Sequence, residues 1–304
     1  MENLTLSETV HPNKEAKARY AGLVCLDSQK EQLLAELTLL LDATHLEKWL
    51  HKHHVKGLPS AFAVGAGSPL ILLSGDVGCG KTALATSIGS PLAHELDKKV
   101  IVLETPSDIR GHGLVGELST RITEAFEQAR AKARQFGAGL LIIDEADDLA
   151  TARDQKQAHH EDRAGVNVLI KQIDTIVREK VPLAVLMITN RAQALDPAVI
   201  RRASLHLRFD RPDTAQRRVI MESLLKGIRH TPDQIEDLVI ATEPQGGVPF
   251  SFSDLHVRLT RAGLRRAWRA NRALSPDVLL EEITHMTPSP LIESTVSAEV
   301  PSDA

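Results

Sequence analysis

The run Gly75-Asp76-Val77-Gly78-Cys79-Gly80-Lys81-Thr82, followed by Ala83, has the residue types and spacing needed to grip a polyphosphate. Glycines let the main chain curl so that successive N–H groups point inward, and the N-terminus of a following helix adds partial positive charge. Lys81 is placed to reach the β and γ phosphates, and the Thr82 hydroxyl to reach Mg²⁺. A second chemical signal ends the run Gly139-Leu140-Leu141-Ile142-Ile143, where Asp144 and Glu145 follow directly. An acid at the end of a buried strand can hold the metal shell, and its neighbour can orient and polarise an attacking water. Either motif alone has a plain reading, a tight turn or a surface acid pair. Together they specify a site that hydrolyses nucleoside triphosphate.

Both motifs require strands that present their carboxyl ends side by side, and the sequence supplies five candidates. Four are continuous apolar runs, Leu70–Leu73, Val100–Leu103, Gly139–Ile143 and Pro182–Ile188, as expected of strands covered on both faces. The fifth, Ser204–Phe209, alternates and reads as half-exposed. Asn190 follows the fourth strand, where its amide either contacts a γ-phosphate or the attacking water, or simply forms a turn. A short helix begins at Asp196-Pro197, with the aspartate as cap and the proline at the first position. It carries the adjacent Arg201 and Arg202, a pair that is ordinarily a solvated face.

Helices are expected over about Ser28–Leu41, Thr44–His53, Lys81–Glu95 and Val166–Arg178, with an amphipathic helix carrying Ile122 and Phe126. His51, His53 and His54 have no acidic or cysteine partner at ligand spacing and read as a solvated helix end. From Asp213 the strand signal stops, and four helical segments punctuated by Pro244–Gly247 and Leu274–Pro276 read as a small all-α unit. The division expected is a mobile arm at 1–20, a large α/β domain at 21–211, a helical lid at 212–286 and a disordered tail at 287–304.

The chain has 304 residues, 42% of them apolar, and a net charge of −4, enough to bury a real core and too little positive charge for a general nucleic-acid binder. Arg258, Arg261, Arg265, Arg266, Arg269 and Arg272 form the one basic stripe, read as solvated or facing a subunit. Cys25 and Cys79 are the only cysteines, and Cys79 lies inside the phosphate loop, so both read as free thiols of a reducing compartment. With neither a leader pattern nor a membrane-length apolar run, a cytoplasmic protein is expected.

The phosphate loop, Asp144-Glu145, Asn190 and Arg201-Arg202, in that order, resemble an AAA+ ATPase over about residues 20–272. The resemblance implies a P-loop NTPase fold with a five-stranded parallel sheet and a C-terminal lid, using ATP and Mg²⁺ in a homo-hexamer. It implies that Gly22 and Leu23 meet the adenine, that Leu114, Val115 and Gly116 begin the first pore loop, and that Thr151–Arg163 form the second. It also implies that Asn190 reports the γ-phosphate and that Arg202, or failing it Arg201, acts in trans on the neighbour's phosphates. Asp144–Arg153, Val166–Ile176 and the step Arg202-Ala203 are further similar to the pachytene-checkpoint type of HORMA-domain remodellers, in a compact bacterial form without a separate N-terminal adaptor domain. A HORMA-domain protein and its bound nucleotidyltransferase are the partners so implied, in anti-phage signalling. The alternative is a DNA-associated AAA+ ATPase of transposition or replication, which the arginine stripe alone supports. Phe250–Leu255 places Ser253 where eukaryotic members carry a second-sensor arginine, so that either another lid arginine such as Arg258 substitutes or the enzyme works without that contact.

Overall fold

The computed structural model describes residues 4–54, 58–59, 61, 67–107, 109, 116–149, 160–244 and 247–291. Leu114 and Val115, and residues 151–159 of the second expected pore loop, lie outside the described residues, as do 292–304 of the tail.

A six-stranded sheet organises the chain, built from β1 (Ser7–His11), β2 (Leu70–Gly75), β3 (Val100–Glu104), β4 (Gly139–Ile143), β5 (Leu183–Thr189) and β6 (Ala203–Phe209). Its order is β1-β3-β4-β5-β2-β6, with every pairing parallel except that of β1 with β3. β2 shows why the inner strands are apolar throughout. Ile71 and Leu73 pack into one core layer and Leu70 and Leu72 into the other, and none is more than 2% exposed. Successive side chains of a strand point to opposite faces, so a sheet covered on both sides needs an uninterrupted apolar run.

One layer holds α1 (Lys14–Gly22), α2 (Asp27–Leu41), α3 (Ala43–His53), α4 (Lys81–Ser87) and α5 (Gly89–Glu95). Leu33, Leu37 and Leu41 of α2 meet Leu84, Ile88 and Leu92 there. The opposite layer holds α6 (Glu117–Phe136) and α7 (His160–Arg178), where Ile122 and Phe126 pack with Leu169 and Ile173. After β5 the chain forms α8 (Pro197–Ile200), capped as expected by Asp196, whose Oδ1 accepts the Ala198 N–H at 2.8 Å.

The lid comprises α9 (Thr214–Leu224), α10 (Pro232–Ala241), a π-helical segment Asp254–Leu259, α11 (Thr260–Arg269) and α12 (Pro276–Ile283). Asp213 and Thr231 open the first two helices with reciprocal capping boxes through Gln216 and Gln234. Phe250, Leu255, Leu238 and Leu279 of the lid join the same apolar cluster as Leu73 and Leu84, so the lid is packed onto the phosphate-loop side of the sheet.

Two expectations are corrected. The sheet has six strands, not five, because residues 4–20 are not a free arm. β1 adds an antiparallel edge beside β3, with Leu4 and Leu6 buried, His11 Nδ1 2.8 Å from Ser90 Oγ, and Glu8 paired with Lys132 at 2.8 Å. Residues 287–291, assigned to the disordered tail, are held instead by Asp254, Arg258 and Arg211.

Candidate active site

The phosphate loop leaves β2 at Gly75 and enters α4 at Gly80. Gly80 has φ +93, a left-handed conformation that permits the loop to curl into the helix without a Cβ clash. Lys81 is 5% exposed, and burial lowers the pKa of its ammonium. Its Nζ donates to the carbonyls of Gly75, at 2.9 Å, and Asp76, at 2.7 Å. Cys79 is buried, and loss of solvent raises its thiol to about 11, which makes it an inert packing residue.

At the carboxyl end of β4, Thr82 Oγ1 donates to Asp144 Oδ2 at 2.7 Å. Two hard oxygen donors thus converge beside a helix N-terminus, the donor set for Mg²⁺ held by one carboxylate and substrate phosphates. Asp144 Oδ1 accepts the Glu145 N–H at 2.8 Å, and Glu145 adopts φ +51. That left-handed backbone, an energetically unfavourable conformation for a side-chain-bearing residue, turns the chain sharply off the strand and leaves the Glu145 carboxylate exposed. Asp147, on the next turn, accepts from Thr189 Oγ1 at 2.7 Å and ties the ends of β4 and β5 together, one residue from Asn190.

One cleft of about 680 Å³ lies between the α/β layer and the lid, a volume suited to a nucleotide. Val77 to Ala83, Asp144, Glu145 and Asn190 form its polar end. Gly22, Leu23, Val24 and Leu26 contribute from the chain before α2, and Phe252, Ser253, His256 and Val257 from the lid. The apolar members of those two groups suit a base, and the curled loop with its buried lysine suits a triphosphate.

Arg201 and Arg202 do not line this cleft. Arg201 Nε donates to the Pro197 carbonyl at 3.2 Å, and Arg202 Nε lies 3.3 Å from Asp174 Oδ1. Both Arg202 and Asp174 are over a third exposed, so the pair is a weak tether. Arg258 is not brought to the cleft either, because Asp254 and Ser289 engage it; Ser253 is there, with His256 one helical turn on. Burial lowers the pKa of His256, favouring the neutral imidazole. Arg266 pairs with Glu281 and Glu282, and Arg272 with Glu281, so half the basic stripe is engaged with acids or the C-terminal segment. Arg19, whose Nη1 lies 3.4 Å from Thr86 Oγ1, and His256 line the cleft without a motif to announce them.

Residues 71–211 match the family described as AAA, ATPase family associated with various cellular activities. Over 291 residues the chain is 40% identical to CD-NTase-associated protein 6 of Escherichia coli (strain MS 115-1), covering 92% of this chain and 93% of that protein. The chain belongs to the AAA ATPase family. Like its relatives, this AAA ATPase is an ATP hydrolase with a Trip13-like fold. It superposes on a chain of the E. coli MS115-1 HORMA:CdnC:Trip13 complex with a TM-score of 0.89 and 39% identity, covering 96% of this chain and 98% of that one. A Rhizobiales Trip13 structure gives a TM-score of 0.73 at 35% identity, over 93% and 98% of the two chains. No helix among the described residues is long and apolar enough to cross a membrane.

Proposed function

We propose that this AAA ATPase forms a cytoplasmic homo-hexamer that draws a HORMA-domain protein through its central pore, opening it and releasing it from a nucleotidyltransferase in anti-phage signalling. The observation that carries this reading is the end-to-end likeness to a chain of a HORMA:CdnC:Trip13 complex, with a Rhizobiales Trip13 structure also similar over most of its length. An ATPase domain shared only with distant family members would support hydrolysis and leave the client open.

ATP supplies the γ-phosphoryl group whose hydrolysis drives the cycle. Lys81 neutralises phosphate charge, while Thr82 and Asp144, whose side-chain oxygens lie 2.7 Å apart, would hold Mg²⁺, which would offset the charge of the phosphates. Glu145 accepts a proton from the attacking water, which its exposed position at the end of β4 allows. Asn190 senses the γ-phosphate from the end of β5. Gly22 and Leu23 meet the adenine. Arg202, absent from its own cleft, serves the neighbouring subunit's, and its weak link to Asp174 is readily exchanged for a phosphate. Leu114, Val115 and Gly116 grip the client.

Addition of ATP should open a closed HORMA protein and separate it from its nucleotidyltransferase, as read by size-exclusion chromatography. Leu114→Ala should hydrolyse ATP yet leave that complex intact. Hydrolysis unaffected by any HORMA protein, but stimulated by DNA in a salt-sensitive way, would favour the alternative.

A further inference from the structure

Arg211 is a long-range clamp that no motif marks. Its side chain is only 5% exposed, and its guanidinium is divided among three parts of the chain. Nε donates to Asp76 Oδ2 in the phosphate loop at 2.6 Å. Nη1 donates to the Pro249 carbonyl at the entrance to the lid and to the Ser289 carbonyl at 2.8 Å, and Nη2 donates to the Pro290 carbonyl at 2.9 Å. Asp76 passes the contact on, because its Oδ1 accepts the Val77 N–H at 2.8 Å and its carbonyl accepts from Lys81 Nζ.

The same C-terminal segment is fixed a second time. Asp254 is fully buried and accepts from Ser289 N at 3.0 Å, Ser289 Oγ at 2.6 Å and Ser251 N at 3.0 Å. Ser251 and Ser253 in turn press on the phosphate loop. Ser253 N donates to the Gly78 carbonyl at 2.9 Å, and a Cβ at Gly78, whose φ is +74, would lie 2.7 Å from Ser251 Oγ. Residues 287–290 therefore cross the seam between lid and phosphate loop and bond to the groups that shape both.

We propose that Arg211 is a positioning residue for the phosphate loop and that the C-terminal segment 287–290 is the other half of its clamp, so that nucleotide affinity depends on the C-terminus. A guanidinium fork can serve one carboxylate and several carbonyls at once, which a lysine point charge cannot. This inference rests on the assignment of the cleft as the nucleotide site.

The test is a double-mutant cycle on the full chain, reading ADP affinity by calorimetry and thermal stability alongside. Arg211→Met, and truncation after Met286, should each weaken ADP binding about tenfold, the loss of one charge-assisted hydrogen bond. Combined, they should cost little more than either alone, because both break one clamp. Arg211→Lys should stay impaired. If Arg211→Met does not fold, Asp76→Asn takes its place in the cycle. Wild-type ADP affinity in the variants, with only the melting temperature lowered, would overturn the inference, as would losses that multiply. A wild-type chain that binds no ADP would instead overturn the nucleotide-site assignment itself.

Discussion

The wall of the cleft made by the strand ends and the wall made by the lid differ in how far water reaches their charged groups. On the first, Glu145 is exposed, Asp144 and Asn190 are partly so, and one short bond to each Asp144 oxygen, from Thr82 Oγ1 and from the Glu145 N–H, holds that acid in place. Behind the second, Asp254 is fully buried, Ser251 is 1% exposed, and both Asp254 oxygens accept hydrogen bonds, whereas the buried His256 Nε2 has no partner among the described residues. The first wall keeps ligand positions open for metal, phosphate and water, which a hydrolytic site needs. The second is backed by a dry, hydrogen-bonded carboxylate, which suits an element that holds its shape as a unit. Chemistry and support therefore occupy opposite sides of one pocket.

The contrast breaks most dramatically at a residue belonging to neither wall. Arg202→Ala should reduce turnover in the assembled state by about 10³-fold or more while leaving ATP affinity of the monomer unchanged, as expected of an arginine acting in trans. Phosphate release and nucleotide titration on the same preparation check this, and an unaltered rate moves the role to Arg201. On the open wall, Glu145→Gln should slow hydrolysis by about 10²- to 10⁴-fold, the range for loss of a general base, with nucleotide binding retained. Single-turnover kinetics would read it.

On the dry wall the expected effect is smaller and appears as stability. Burial pushes the Asp254 carboxyl up, but hydrogen bonds from Ser289, from the main chain of Ser251 and Ser289, and from Arg258 outweigh it and hold the group at about 2. A pKa below the unfolded value of about 3.9 contributes stability that is present at neutral pH and lost as pH falls from about 4 towards 2. Asp254→Asn should therefore cost about 1–3 kcal/mol at pH 7 in thermal melts. The gap to wild type should narrow over that acid window; a gap independent of pH would mean that the carboxylate charge is not what fastens the lid.

The same division explains what could be read from the chain alone. Phosphate loop, acid pair and buried strands were legible because each is a contiguous string whose meaning is local, and Val77–Ala83, Asp144, Glu145 and Asn190 line one cleft. β1 was not legible, since Ser7–His11 is polar and becomes a strand only against the edge of β3. Nor was Arg211, because its partner Asp76 is 135 residues away and its other acceptors are main-chain carbonyls, which no sequence pattern names. The ion pairs of the arginine stripe were hidden for the same reason: Arg258, Arg266 and Arg272 read as a solvated face, and only folding supplies Asp254, Glu281 and Glu282 as their partners.

The account depends on each subunit completing its neighbour's site, and subunit mixing tests that most directly. Glu145→Gln protein lacks the base but offers Arg202, and Arg202→Ala protein lacks the arginine but keeps its own base. Neither alone should release phosphate at an appreciable rate. Mixed under assembling conditions, they should recover activity at junctions pairing an intact Glu145 with an intact Arg202. A mixture that co-assembles and remains as inactive as its components would contradict the account.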